Sequence, residues 1–89
     1  MVAYSVIVKN SARKELKKLP DQVLSKIAKV IDGLAEDAFP DHCRKLAGSQ
    51  AAYRVREGQY RVIYSVVEKM IFILRVAHRK DAYRKPMPY

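Results

Sequence analysis

One cysteine in 89 residues, Cys43, leaves no internal disulfide framework and no cysteine-rich zinc site. Three glycines and four prolines are too few for a collagenous or low-complexity chain, and a hydrophobic share of 49% is too high for a wholly disordered one. Long apolar runs are also missing. The longest, near Met70–Leu74, falls far short of the ~20 residues that cross a bilayer. No basic segment precedes an apolar one at the start, and charge first returns at Lys9, so no signal peptide is expected and cytoplasmic residence follows. There is no glycine-rich phosphate loop, no Walker-type motif and no acidic cluster suited to magnesium. The expectation is a chain without cofactor or metal, so that any nuclease chemistry here would be metal-free. His42 and Cys43 are adjacent loop positions, too few for zinc and poorly placed to act as nucleophile and base.

Negative charge is scarce too. Nine Asp and Glu stand against eighteen Lys and Arg, a net charge of +9. A field of that sign on so small a body attracts polyanions: nucleic acid, the ribosome, anionic lipid or an acidic protein. The length predicts a single domain over residues 1–89, with a basic tail from about residue 79.

The hydrophobic period organises the rest. Tyr4–Val8 is β-branched and aromatic and reads as a strand. Asn10 or Ser11 offers a helix N-cap, and Ala12, Leu16 and Leu19 recur at helical spacing in a short amphipathic helix, Ala12–Leu19. Its other face carries Arg13, Lys14, Lys17 and Lys18, but about two turns are too short for a membrane-surface helix. Pro20 opens a second helix whose apolar positions Val23, Leu24, Ile27, Ala28, Val30, Ile31 and Leu34 keep a 3.6-residue period to about Asp37. A polar connection, Asp41–Gln50, follows, with Leu46 as its anchor. The period then falls to two. Tyr53–Arg56, Tyr60–Val66 and Ile71–Ala77 are predicted strands joined by the tight turns Glu57–Gln59 and Glu68–Lys69, an antiparallel meander. The predicted fold class is α+β in the order β-α-α-β-β-β: an antiparallel-dominated sheet with a two-helix hairpin on one face.

Side chains alternate across a strand. Parity puts Arg54 and Arg56 opposite Tyr53 and Val55, and Arg61 opposite Tyr60, Val62, Tyr64 and Val66. It also puts Arg75 and Arg79 opposite Phe72, Leu74 and Val76. The expectation is that Arg54, Arg56, Arg61, Arg75 and Arg79 share the helix-free face. Placing several arginines together costs stability unless an anion is to be held there, and their planar forks suit phosphate oxygens. The segment His78–Arg84 adds His78, Lys80, Tyr83 and Arg84 at the sheet edge. Tyr83 can stack on a base, act as a general acid or base where positive charge lowers its pKa, or simply pack on the body. His78 ranks behind it, because its parity with Val76 points it toward the helices.

The run Tyr53-Arg54-Val55-Arg56-Glu57-Gly58-Gln59-Tyr60-Arg61-Val62-Ile63-Tyr64, followed by Arg75-Val76-Ala77-His78-Arg79-Lys80-Asp81-Ala82-Tyr83-Arg84, resembles the RelE/ParE superfamily of type II toxins. The opening strand, the Ala12–Lys18 helix and Lys45-Leu46-Ala47-Gly48 extend the resemblance over essentially the whole chain. It implies a small toxin neutralised by an acidic antitoxin that wraps it as a hetero-oligomer. In the RelE branch it implies an endoribonuclease that cuts mRNA in the ribosomal A site without metal. There the substrate's 2′-hydroxyl attacks the neighbouring phosphate, leaving a 2′,3′-cyclic phosphate and a 5′-hydroxyl.

The same resemblance implies catalytic roles for Arg54, Arg56, Arg61, Arg79 and Tyr83, with Arg75, His78, Lys80 and Arg84 binding substrate. Arg54 and Arg56 stand where family members carry Lys or Arg; Arg61 and Arg79 would neutralise the phosphorane, and Tyr83 would stack on a base or take the 2′-hydroxyl proton. Arginine stays charged at any usable pH, so Arg54 and Arg56 read as electrostatic stabilisers and not as bases. That leaves proton transfer to Tyr83, His78 or a ribosomal group. Two other readings compete: a ParE-like inhibitor of DNA gyrase, and a non-catalytic RNA-binding module, which predicts salt-dependent binding without cut products.

Overall fold

β-Branched and aromatic residues at alternating positions make the strands, and a 3.6-residue apolar stripe makes the longer helix. The structure, a computed structural model, describes residues 3–46 and 52–81. In chain order the elements are β1 (Ser5–Val8), α1 (Asn10–Lys17), α2 (Asp21–Leu34), β2 (Cys43–Lys45), β3 (Ala52–Glu57), β4 (Tyr60–Val67) and β5 (Met70–His78). The sheet order is β1-β5-β4-β3-β2. β1 runs parallel to β5, and the other three pairings are antiparallel. The predicted α+β class and element order hold, with one strand more than expected. That strand, β2, lies within the stretch expected to be only a polar connection. Three residues with two charges carry no readable period, and β2 is defined by its pairing with β3.

The helices differ from expectation at their ends. α1 starts at Asn10 behind Lys9, with no side-chain cap; the Ser11 hydroxyl instead donates to the Leu74 carbonyl at 2.8 Å. α2 begins at Asp21, directly after Pro20, and closes at Leu34, beyond which Glu36 and Asp37 donate back to the Gly33 carbonyl.

One face of the sheet meets both helices. Ala12 of α1 and Ile27, Ile31 and Leu34 of α2 pack with Val55, Val62, Tyr64, Ile71, Ile73 and Val76. Each fully buried aliphatic side chain there contributes about 1.5–3 kcal/mol. Tyr64 is buried whole, and its hydroxyl donates to the Ala38 carbonyl at 2.7 Å. Burial is the main cause that drives its phenol pKa far above the usual tyrosine range, helped by Cys43 beside it, so the ring stays neutral. Tyr53 stacks on Tyr64, with ring centroids 5.8 Å apart, and Phe39 meets Tyr53 edge-on at 5.0 Å.

The other face has a smaller apolar patch of Ile63, Leu74 and Ala77, with Leu46 and Phe72 against it. Phe72 and Leu74 join it because β5 carries a bulge. Ile63 pairs with Arg75 while Tyr64 pairs with Ile73, which leaves Leu74 without a partner. The extra residue reverses the alternation of β5 at that point. Ile71 and Ile73 face the helices before it, and Val76 faces them after it. The expected parity therefore holds for Val76 and Ala77 and is inverted for Phe72 and Leu74, which lie on the helix-free side.

Candidate nucleic-acid interface

Alternation on β3 sends Tyr53 and Val55 to the helices and Arg54 and Arg56 to the opposite face. On β4, Arg61 stands between Tyr60 and Val62, which belong to the helix-side core, and points the same way as Arg56. The register sets these side chains in pairs. Arg56 lies directly across from Arg61, and Arg44 of β2 directly across from Arg54. Like charges at directly opposed positions destabilise a sheet, because such Cβ atoms are only about 4.5–5.5 Å apart. Two such pairs in one small sheet mark a face shaped for anions rather than for its own stability.

These residues line a concavity of about 750 Å³ together with Lys45, Leu46, Arg79 and Lys80. Its lining holds five arginines and two lysines and no Asp, Glu or His among the described residues. The chain supplies two local supports for the guanidinium groups. Arg61 Nη1 donates to the carbonyls of Tyr60 at 3.1 Å and Gly58 at 3.3 Å. Gly58 holds the β3–β4 turn at φ +60°, a conformation that suits glycine. Arg44 Nη1 donates likewise to the carbonyls of Cys43 at 2.9 Å and Asp41 at 3.3 Å. Arg79 reaches the concavity because its backbone N–H donates to the Gln59 carbonyl at 2.7 Å, tying the residue after β5 to the same turn.

One expected member is elsewhere. Arg75 does not share the basic face. At the bulge it is carried to the edge of β5 beyond the end of β1, where Nη2 meets Glu15 Oε2 at 2.9 Å. Glu15 Oε1 accepts the Val76 N–H at 2.8 Å, so the α1 carboxylate occupies the edge where a neighbouring strand would pair. His78 keeps to the Tyr60 side, its ring 5.6 Å from that of Tyr60, and its Nδ1 accepts the Lys80 N–H at 3.2 Å. Tyr83 and Arg84 lie outside the described residues, as do Ala47 and Gly48.

Two residues that sequence reasoning left out, Arg44 and Lys45, complete the basic rim. The signal was present as the doublet Arg44-Lys45 before the anchor Leu46, but only the pairing with β3 turns it toward the arginines. The assembled face can bind and neutralise phosphate. The described lining offers no carboxylate or imidazole, and its arginines act as fixed charges and not as bases.

The chain matches the family model for the ParE toxin of the type II toxin-antitoxin system, parDE, over residues 6–83. It is 34% identical over 88 residues to toxin RelG of Mycobacterium tuberculosis, an alignment covering 92% of this chain and 98% of that one. Among solved structures, the archaeal RelE–RelB complex from Pyrococcus horikoshii matches with a TM-score of 0.78 at 33% identity, covering 91% of this chain and 100% of the other. The RelBE2 toxin–antitoxin complex of M. tuberculosis matches with a TM-score of 0.78 at 28% identity, covering 88% and 100%.

Proposed function

This chain belongs to the RelE/ParE superfamily of type II toxin–antitoxin toxins, and from that premise we propose that it is a ribosome-dependent endoribonuclease. The observation that carries the reading is the pair of facing arginine rungs, Arg44–Arg54 and Arg56–Arg61, on a helix-free face with no carboxylate among the described residues of its lining. A face of that kind is matched to the phosphodiester backbone.

In the proposed reaction the 2′-oxygen of the substrate attacks the adjacent phosphorus, the bond to the 5′-oxygen breaks, and a 2′,3′-cyclic phosphate and a 5′-hydroxyl result. Negative charge builds on the equatorial oxygens of the phosphorane, and Arg61 and Arg79 neutralise it. Arg54, Arg56, Lys80 and Arg84 hold the backbone. The 2′-hydroxyl proton passes to Tyr83, which also stacks on a base, or to a ribosomal group, which also protonates the leaving 5′-oxygen. Arg75 has no part in this assignment, because Glu15 holds it at the opposite edge of the strand. His78, on the Tyr60 side, has no direct role either. The proposed partners are mRNA and the ribosomal A site, which place the protein in the cytoplasm. An acidic antitoxin covers the basic face, in keeping with relatives solved as RelE–RelB and RelBE2 complexes.

One observation favours a second reading: the family model that matches is the ParE toxin. A ParE-like chain would inhibit DNA gyrase. The test is 5′-end mapping of a defined mRNA in a reconstituted translation mixture, with and without ribosomes, beside a gyrase supercoiling assay. Ribosome-dependent cuts with supercoiling intact support the nuclease. Intact mRNA with blocked supercoiling overturns it in favour of gyrase.

A further inference from the structure

The register of β2 against β3 divides the basic face into two levels. Arg56 and Arg61 form one rung, and Arg44 and Arg54 form another, two residues away along β3. Two residues of strand span roughly 6.5–7 Å. That step is comparable to the distance between consecutive phosphates of an extended single strand. The first rung stands beside the Gly58 turn and Arg79, the second at the open edge of the sheet beside Lys45 and Leu46.

Arg44 is exposed, and its guanidinium is oriented by the local backbone. The two carbonyls that accept from Nη1 fix the plane of its guanidinium. Its Nε and Nη2 make no hydrogen bond with any described residue, while the side chain lines the concavity. A guanidinium held in plane on one side, with the rest of its donor edge available, suits two oxygens of one phosphate. Arg54 adds a second positive charge directly across the ladder.

We infer that Arg44, with Arg54, forms a second phosphate subsite that holds the phosphodiester next to the scissile one. The inference rests on the proposed nuclease reading and adds to it a minimum ligand: two consecutive phosphates, one for each rung. Arg44 is then a positioning residue. It fixes the register of the strand so that the reacting phosphate comes to Arg56, Arg61 and Arg79.

The test uses the free full-length protein and uncleavable 2′-O-methyl oligonucleotides, a dinucleotide with one phosphodiester and a trinucleotide with two, titrated by NMR. The second phosphate is expected to tighten binding to the unaltered protein roughly tenfold or more, as a charge-assisted contact does. In Arg44→Gln that gain falls to near onefold, dinucleotide affinity is kept, and the slope of log K against log salt for the trinucleotide drops by about 0.7, one phosphate of a single strand. Arg13→Gln, an exposed charge on α1, keeps the full gain, and an unchanged amide spectrum of Arg44→Gln shows that its fold is kept. An equal gain in Arg44→Gln and the unaltered protein overturns the subsite. Failure of the unaltered protein to bind the trinucleotide more tightly than the dinucleotide overturns the subsite as well, while the ribosome-dependent nuclease reading is decided separately by the 5′-end mapping.

Discussion

Arg56 and Arg61 face each other directly across the β3–β4 ladder, two permanent cations where a sheet ordinarily sets opposite charges or apolar partners. The free protein is therefore expected to carry local strain that an anion relieves. Arg56→Gln should raise its stability by roughly 0.2–1 kcal/mol while weakening RNA binding. Urea unfolding at low salt checks the first part, and the difference between the two proteins should shrink at 1 M salt, where the screening length is about 3 Å. A loss of stability at low salt would contradict it.

The Glu15 carboxylate occupies the edge of β5, and that arrangement separates Arg75 from the arginines of the basic face. Glu15→Ala should cost about 1–3 kcal/mol, because the Val76 N–H and the Arg75 guanidinium both lose their partner. Arg75→Ala should leave the salt slope of RNA binding unchanged, whereas Arg54→Ala should lower it by about 0.7. Equal slopes for the two variants would place Arg75 back on the basic face.

Tyr64→Phe removes the bond to Ala38 and leaves that buried carbonyl without its donor, at an expected cost of about 1–3 kcal/mol near neutral pH. The sign of the pH dependence follows from the raised phenol pKa of the folded state. An unfolded tyrosine ionises near 10, while the folded one holds its proton, so the contribution is complete below pH ~10 and is lost progressively as pH rises above it. The stability gap between the two proteins should accordingly narrow between about pH 10 and 11.5. Chemical unfolding across that range measures it, and a constant gap would contradict the assignment.

Glu68 has φ +56° in the β4–β5 turn, a left-handed conformation that most L-residues resist. Glu68→Gly is expected to stabilise the protein by up to about 1 kcal/mol with no effect on RNA cleavage. Thermal unfolding of the variant decides the first half and an mRNA cleavage assay the second.

Much of this architecture was legible in the residues. The 3.6-residue period of Val23–Leu34 and the alternation of Tyr53–Arg56 and Tyr60–Val66 are strong signals, since each reports a face that must be buried. They placed Arg54, Arg56 and Arg61 together. The failures have local causes. β2 is three residues long and exists through its partner, so the Arg44-Lys45 doublet could not be assigned to the face without that pairing. Parity counted through Ile71–Ala77 assumed an unbroken strand, and a single extra residue at Leu74 moved Arg75 to the edge. Nothing in a β-branched run announces a bulge. At the start of α1, Ser11 serves the Leu74 carbonyl and does not cap the helix.

The most direct measurement is 5′-end mapping of ribosome-bound mRNA in which the nucleotide 5′ to a mapped cut carries a 2′-deoxy sugar, run for the unaltered protein and for Arg61→Ala. The expected result is loss of that one cut, with flanking cuts retained, and a general loss of at least tenfold for Arg61→Ala in keeping with a removed phosphorane contact. Continued cleavage at the deoxy position would show that the 2′-hydroxyl is not the nucleophile and would contradict the reading of the arginine face as a transesterification site.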